Sequence, residues 1–189
     1  SLFKNNHLKS GDTLVITKAL GTGVILAAQM QKRETSHWNY RGDWYNAALD
    51  SMLVSNQAAA KIFSELDVIA CTDVTGFGLA GHLANICRAS KVGAILNVNA
   101  VPLLNGAQEL SAAGVLSSLY PDNLSDALTM MNEPQTARGR LMLDPQTAGG
   151  LLATLSKEEA EKATEELAQN GIRAVQIGMI TDQSRRLEL

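Results

Sequence analysis

Three stretches of this chain set charged or hydroxyl side chains beside glycines, a combination suited to handling phosphate. The first, Asp73-Val74-Thr75-Gly76-Phe77-Gly78, leaves the apolar run Val68 to Thr72 and enters a helical pattern marked by Leu79, His82, Leu83, Ile86 and Cys87. Its glycines let backbone come close to a ligand. A helix start offers unpaired N–H groups and a partial positive charge. Asp73 at a strand end supplies a hard oxygen suited to Mg²⁺. Taken alone, the same residues read as a plain cap and turn, with the phosphate and Mg²⁺ site as the alternative.

The second stretch is Asp144-Pro145-Gln146-Thr147-Ala148-Gly149-Gly150. Asp-Pro opens a turn, Gly149-Gly150 permits positive φ, and Gln146 and Thr147 are polar groups near the loop tip. Taken alone it is a tight strand connection, with a ligand-facing tip as the alternative. The third, Thr17-Lys18-Ala19-Leu20-Gly21-Thr22-Gly23, again runs from a strand through glycines into a helix. Lys18 is either a phosphate partner or a solvated lysine at a strand end. A dinucleotide site is excluded, because the third glycine and the acidic residue of that fingerprint are missing.

Other residues lean towards structure. His82 sits on the apolar face of its helix, as a satisfied core or interface residue. Asn56 falls on a buried stripe, where its amide needs partners and ties the helix to a neighbouring loop, with an active-site border as the alternative. Cys71, two residues before Asp73, reads as a small hydrophobe with nothing to lower its pKa.

The elements that must position these residues alternate. Strands are predicted at Thr13–Thr17, Val68–Thr72, Ala94–Val98, Leu141–Leu143, Gly150–Thr154, Ala174–Ile177 and Arg186–Leu189, the last two around a turn. Helices are predicted at Val24–Gln31, from an Asp43 cap to about Leu66, over Leu79–Cys87, at Ala107–Ala113, and from the Ser156/Glu159 capping box to about Gln169, ended by Asn170-Gly171. The Asp43 helix carries Leu49, Met52, Leu53, Asn56, Ala59, Ala60, Ile62, Phe63 and Leu66 as one buried stripe. Residues 33–42 read as a loop, and 117–139 as a loop with one helical piece around Ala127. The pattern is that of one α/β layered domain over 12–189, with 1–11 as a linker.

Composition narrows the function. The 189 residues are 46% hydrophobic and 19% charged, ample for a core. A net charge of −3 without a dense Lys/Arg cluster argues against nucleic acid, and aromatics at 4% argue against a base-stacking platform. The apolar runs are too short for a membrane span, and no secretory signal is visible. Two cysteines make neither a disulfide framework nor a metal-ligand spacing, which fits a cytoplasmic home. The start at Ser1, without Met, reads as a piece of a longer protein.

Taken together, Lys18 to Gly23, Cys71-Thr72-Asp73-Val74-Thr75-Gly76-Phe77-Gly78-Leu79-Ala80-Gly81-His82-Leu83 and Asp144 to Gly150 resemble, in order and spacing, the C-terminal domain of selenophosphate synthetases (selenide, water dikinases). That domain belongs to the aminoimidazole ribonucleotide synthetase-like superfamily. The resemblance implies that domain's fold, α/β (α+β) with a mixed sheet flanked by helices, and the reaction of ATP, selenide and water to selenophosphate, AMP and phosphate. It implies ATP and Mg²⁺ as cofactors, Asp73 as a metal ligand, and Lys18, Thr75, Gly76, Gly78, Thr147 and Gly149 as the lining of the nucleotide site. The reactive Cys or selenocysteine, its Lys and the other metal aspartates belong to the family's N-terminal half, so the resemblance implies no catalytic residue and no activity in this piece alone. Full-length members are expected to be homodimers that meet ATP and selenide through that half.

Some positions depart from the family. Ala19 stands for a usual Pro and Ala148 for a common Ser, and Ser117 to Asn123 replaces a glycine-rich stretch of which Asn123 is kept. This variant resembles members in which a flavin-dependent oxidoreductase domain precedes the synthetase. The alternatives are another phosphotransferase of the superfamily, or a regulatory or partner-binding domain that keeps the fold.

Overall fold

The computed structural model describes residues 8–31, 41–184 and 186–189. In chain order the elements are β1 (Thr13–Ile16), α1 (Thr22–Gln31), α2 (Arg41–Leu53), α3 (Gln57–Glu65), β2 (Ala70–Asp73), α4 (Gly78–Ser90), β3 (Gly93–Leu96), α5 (Ala107–Ala112), α6 (Tyr120–Ala127), α7 (Ala137–Arg140), β4 (Leu151–Leu155), α8 (Lys157–Gln169), β5 (Val175–Thr181) and β6 (Leu187–Glu188). The strands form one mixed sheet in the order β2-β4-β1-β5-β3-β6. All pairs are antiparallel except β3 with β6.

Strand alternation explains the layers. Successive side chains point to opposite faces, so Leu14 and Ile16 of β1 enter one core while Val15 enters the other. In β4, Leu152 joins the first core, and Leu151, Ala153 and Leu155 join the second. The first core is roofed by α1, α2 and α4 to α6, with Val24, Ala28, Ala48, Leu79, Leu83 and Leu110 buried. The second is closed by α3 and α8, through Ile62, Phe63, Ala160, Ala163 and Leu167. Cover on both faces is why β1 and β4 are buried along their whole length and almost wholly apolar.

Several expectations need correction. The helix read from Asp43 to Leu66 is two helices, α2 and α3, separated at Val54–Asn56; Leu53, expected in the buried stripe, is 83% exposed. Asp43 lies in the first turn of α2 and does not precede it. Leu141–Leu143, read as a strand, is a 3-10 turn, buried all round without a ladder partner. The last two strands do not pair with each other, because β3 lies between them. The loop read over 33–42 falls on residues outside those described, except Arg41 and Gly42, which open α2. Of the segment read as a linker, residues 1–7 lie outside the described residues; Leu8 is buried in the first core, and the turn after it is tied by Gly11 N–H to the Ile180 carbonyl. The helical piece expected near Ala127 is α6, which ends there. Ser156 caps α8 by accepting from Glu159 N–H at 3.2 Å, while the Glu159 carboxylate turns to Lys162.

Candidate functional site

The topology gathers the three glycine-bearing stretches. Because β4 runs antiparallel to both β1 and β2, the ends of β1 and β2 and the start of β4 share one end of the sheet. The loops there are stitched together. Leu151 N–H donates to Thr17 Oγ1 at 2.8 Å, Val74 N–H to the Gly150 carbonyl at 2.8 Å, and Gln146 N–H to the Thr75 carbonyl at 2.9 Å.

The start of α1 is not an open anion seat. Asp144 is 3% exposed, and its Oδ2 accepts from Val24 N–H at 2.9 Å and from Gln146 Nε2 at 3.1 Å. Gln146 Oε1 accepts from Gly21 N–H at 2.9 Å, Thr22 N–H at 3.2 Å and Thr22 Oγ1 at 3.1 Å. Thus the orphan donors of the helix terminus are met by side chains of this chain. Burial pushes the Asp144 carboxyl up to about 7, while the Val24 N–H, the Gln146 amide and the Gly23 N–H pull it down. Gly23 is required at this seat: a Cβ there would overlap the Pro145 carbonyl oxygen and lie 2.8 Å from both Asp144 carboxylate oxygens. The sequence marked Asp144 only as a turn starter, and its burial and its helix partner come from the tertiary fold.

Lys18 is neither freely solvated nor open. Its Nζ donates to the carbonyls of Ser51 (3.1 Å), Val54 (2.6 Å) and Ala148 (2.9 Å). It closes the C-terminal end of α2, where a cation is favourable, and burial lowers its pKa. Asn56 donates to the Gly149 carbonyl at 2.9 Å, the tie to a neighbouring loop that its position called for.

The Asp73 stretch is the open side of the site. Asp73 is exposed at the end of the edge strand β2. Thr75 N–H donates to His82 Nε2 at 3.0 Å, and Thr75 Oγ1 lies 3.2 Å from the same nitrogen. That nitrogen is therefore the unprotonated one, with the proton on Nδ1. His82 is half-buried with the Phe77 ring edge-on at 5.6 Å; burial lowers its pKa and the Asp73 charge raises it. It is satisfied by its own turn, as its place on the helix implied. Asn123 is buried and donates to the Gly76 and Leu143 carbonyls at 2.8 and 3.0 Å.

The two glycines of this turn differ. Gly78 (φ +68°) packs 2.8 Å from the Leu143 backbone, measured from where a Cβ would stand, so it serves close packing. Gly76 meets only the Leu119 side chain, at 3.9 Å, and faces open space. Gly149 is buried with its Cα against the Val74 carbonyl, and Thr147 is exposed beside it, its N–H donating to Thr22 Oγ1 at 2.9 Å. The surface available to a ligand is therefore Asp73, Thr75, Gly76 and Thr147, with Gly78, Gly149 and Lys18 as the frame.

Among the described residues no group of three or more His, Cys, Asp or Glu side chains could hold a metal ion by itself. One exposed carboxylate fits Mg²⁺ as one ligand of several, since that ion commonly takes one or two carboxylates together with phosphates and water. Cys71 and Cys87 are pushed up to about 11, mainly by burial, and for Cys71 also by the Asp73 charge; both behave as small hydrophobes. No helix among the described residues is long and apolar enough to cross a membrane.

Residues 9–188 match the family described as AIR synthase related protein, C-terminal domain. A curated relative, the selenide, water dikinase of Shewanella sp. (strain ANA-3), is 35% identical over 182 residues, covering 95% of this chain and 49% of its own. The chain spans about half the length of the curated relatives it matches. Among solved structures, hydrogenase maturation protein HypE in complex with ATP superposes with a TM-score of 0.65 at 20% identity, over 95% of this chain and 45% of that one. Thiamine-monophosphate kinase from Stenotrophomonas maltophilia K279a superposes with a TM-score of 0.64 at 16% identity, over 98% and 52%.

Proposed function

The chain belongs to the AIR synthase related proteins, as their C-terminal domain, and from that premise we propose that it is the C-terminal half of a selenide, water dikinase, the enzyme that turns ATP, selenide and water into selenophosphate, AMP and phosphate. The observation that carries the reading is the exposed Asp73 carboxylate beside the open Gly76 turn, rimmed by Thr75 and Thr147. The names of the relatives and the ATP bound to a protein of the same fold support it. Phosphoryl transfer demands positioning and charge neutralisation more than covalent chemistry, and Mg²⁺ would supply the neutralising charge. Asp73 offers that ion an oxygen. Gly76 leaves room for phosphate oxygens, and the Thr75 and Thr147 hydroxyls can donate to them. Gly78 and Gly149 fix the two loops, and Lys18 holds the end of α2 against the Ala148 carbonyl.

On this reading the remaining metal ligands and the reactive chalcogen belong to the N-terminal half of the parent protein. This chain is therefore inactive alone, and it works in the cytoplasm within a homodimeric parent, in which a fused oxidoreductase domain has a place. A second reading, a phosphotransferase of the same fold acting on another acceptor, draws on the likeness to a thiamine-monophosphate kinase. The test compares AMP release by the purified chain and by its full-length parent, with ATP, Mg²⁺ and selenide. Selenide-dependent AMP from the parent and none from the chain is the expected result. Turnover by the chain alone overturns its proposed inactivity, and parental activity indifferent to selenide favours the second reading.

A further inference from the structure

Gln146 is 4% exposed and joins all three loops of the site. Its backbone N–H holds the Thr75 carbonyl, its Oε1 takes the Gly21 and Thr22 N–H groups and the Thr22 hydroxyl, and its Nε2 donates to the Asp144 carbonyl at 2.9 Å and to Asp144 Oδ2 at 3.1 Å. Thr22 Oγ1 in turn accepts from Thr147 N–H. We infer that Gln146 is a positioning residue, which locks Thr22, Thr147 and the Thr75–Gly76 turn into one frame for the phosphate end of ATP. This rests on the reading of the chain as part of an ATP-using enzyme.

The side-chain chemistry explains why an amide stands here. The α1 terminus needs an acceptor and Asp144 needs a donor, and an amide presents both from opposite corners of one planar group at every pH, where a carboxyl does so only when protonated. A glutamate fits the same space and keeps the acceptor. It also sets a second carboxyl about 3 Å from the first, and two carboxyls that close share one proton rather than ionise together. The groups facing this pair are the N–H groups of Gly21, Thr22, Gly23 and Val24 and the hydroxyls of Thr22 and Ser117. The frame of Gln146→Glu therefore holds in acid and opens in alkali. Gln146→Leu loses it at every pH.

The experiment uses the full-length parent. Selenide-dependent AMP formation is followed from pH 6 to pH 8.5 for wild type, Gln146→Glu and Gln146→Leu, with thermal melts to show that each remains folded at the assay temperature. Misplaced supporting groups commonly reduce rates about 10–100-fold. The expected result is a loss of that order in kcat/KM for ATP with Gln146→Leu throughout. For Gln146→Glu the loss should appear at high pH and recover towards low pH. A folded Gln146→Glu protein that follows the wild-type pH profile, or a folded Gln146→Leu within twofold of wild type, overturns the inference. Hydrogen exchange at the Thr147 amide, read on the same proteins, separates this failure from failure of the functional reading. If the wild-type parent shows no selenide dependence, faster exchange in Gln146→Leu still supports the frame, and unchanged exchange refutes it.

Discussion

Replacing Gly23 by Ala tests the most crowded joint of the site. The added methyl would overlap the Pro145 carbonyl oxygen and press on both carboxylate oxygens of Asp144. These neighbours are backbone and a buried, bonded carboxylate, so they cannot swing away as a surface side chain would. Either α1 lifts off the loop or the loop retreats, and the Val24 N–H to Asp144 bond at 2.9 Å is lost. Overpacking of a tight core commonly costs about 1–3 kcal/mol, and a buried hydrogen bond to a charged group contributes about 1.5–3 kcal/mol. The two together give about 4 kcal/mol, which for a domain of this size lowers Tm by about 8–16 °C. Gly171→Ala is the control: φ is +74° there, but an added Cβ would meet nothing within 4 Å, so the left-handed backbone penalty of about 1–2 kcal/mol sets the loss. Differential scanning calorimetry of the three purified chains is the assay. A Gly23→Ala loss no larger than that of Gly171→Ala would refute the claim that α1 is seated on the Asp144 carboxylate.

Other outcomes follow from the same geometry. Ala148 holds φ at +49°, so Ala148→Gly should be neutral or stabilising by up to about 1 kcal/mol in denaturant titrations, because glycine adopts that region without penalty. Asp144 has its folded pKa raised to about 7, so its contribution to stability is fully present below the ordinary carboxylate range and is lost as pH rises through about 7. Wild type should therefore lose stability relative to Asp144→Asn between about pH 4 and 7, by up to about 1.4 kcal/mol per pH unit; a difference that stays constant with pH contradicts this. His82 has its pKa lowered, chiefly by burial, so the turn it holds is at full strength above the ordinary imidazole range and weakens as pH falls through the folded value. NMR titration of the ring should place its midpoint below that of a free histidine. Asp73→Asn, at an exposed strand end, should leave Tm within about 2 °C of wild type, because surface changes of this kind stay within about 0.5 kcal/mol.

The strands and helices that bear the site are legible from local pattern, because Thr13–Ile16 and Val68–Asp73 are apolar runs ending in glycine turns and α8 carries its own cap. What is not legible depends on distant partners. No Gly or Pro separates α2 from α3, and the Ser51 and Val54 carbonyls at the break are met by Lys18 from more than thirty residues away. Leu141–Leu143 has a strand's composition, yet it turns tightly under α4 and α6, and a three-residue apolar run does not reveal that. Within the site, the glycines and Asp73 stand out by spacing. Asp144 and Gln146 look like turn residues until the fold places the start of α1 over them. Asn123 looks like an isolated remnant until its amide is seen holding the Gly76 carbonyl.

The most direct test of the account is selenide-dependent AMP and selenophosphate formation from ATP and Mg²⁺ by the full-length parent, wild type beside Asp73→Ala. Wild type should form both products only with selenide, and a folded Asp73→Ala protein should lose the activity by orders of magnitude. Undiminished selenide-dependent turnover in the variant would contradict the role of Asp73, and no selenide dependence in the wild type would contradict the function itself.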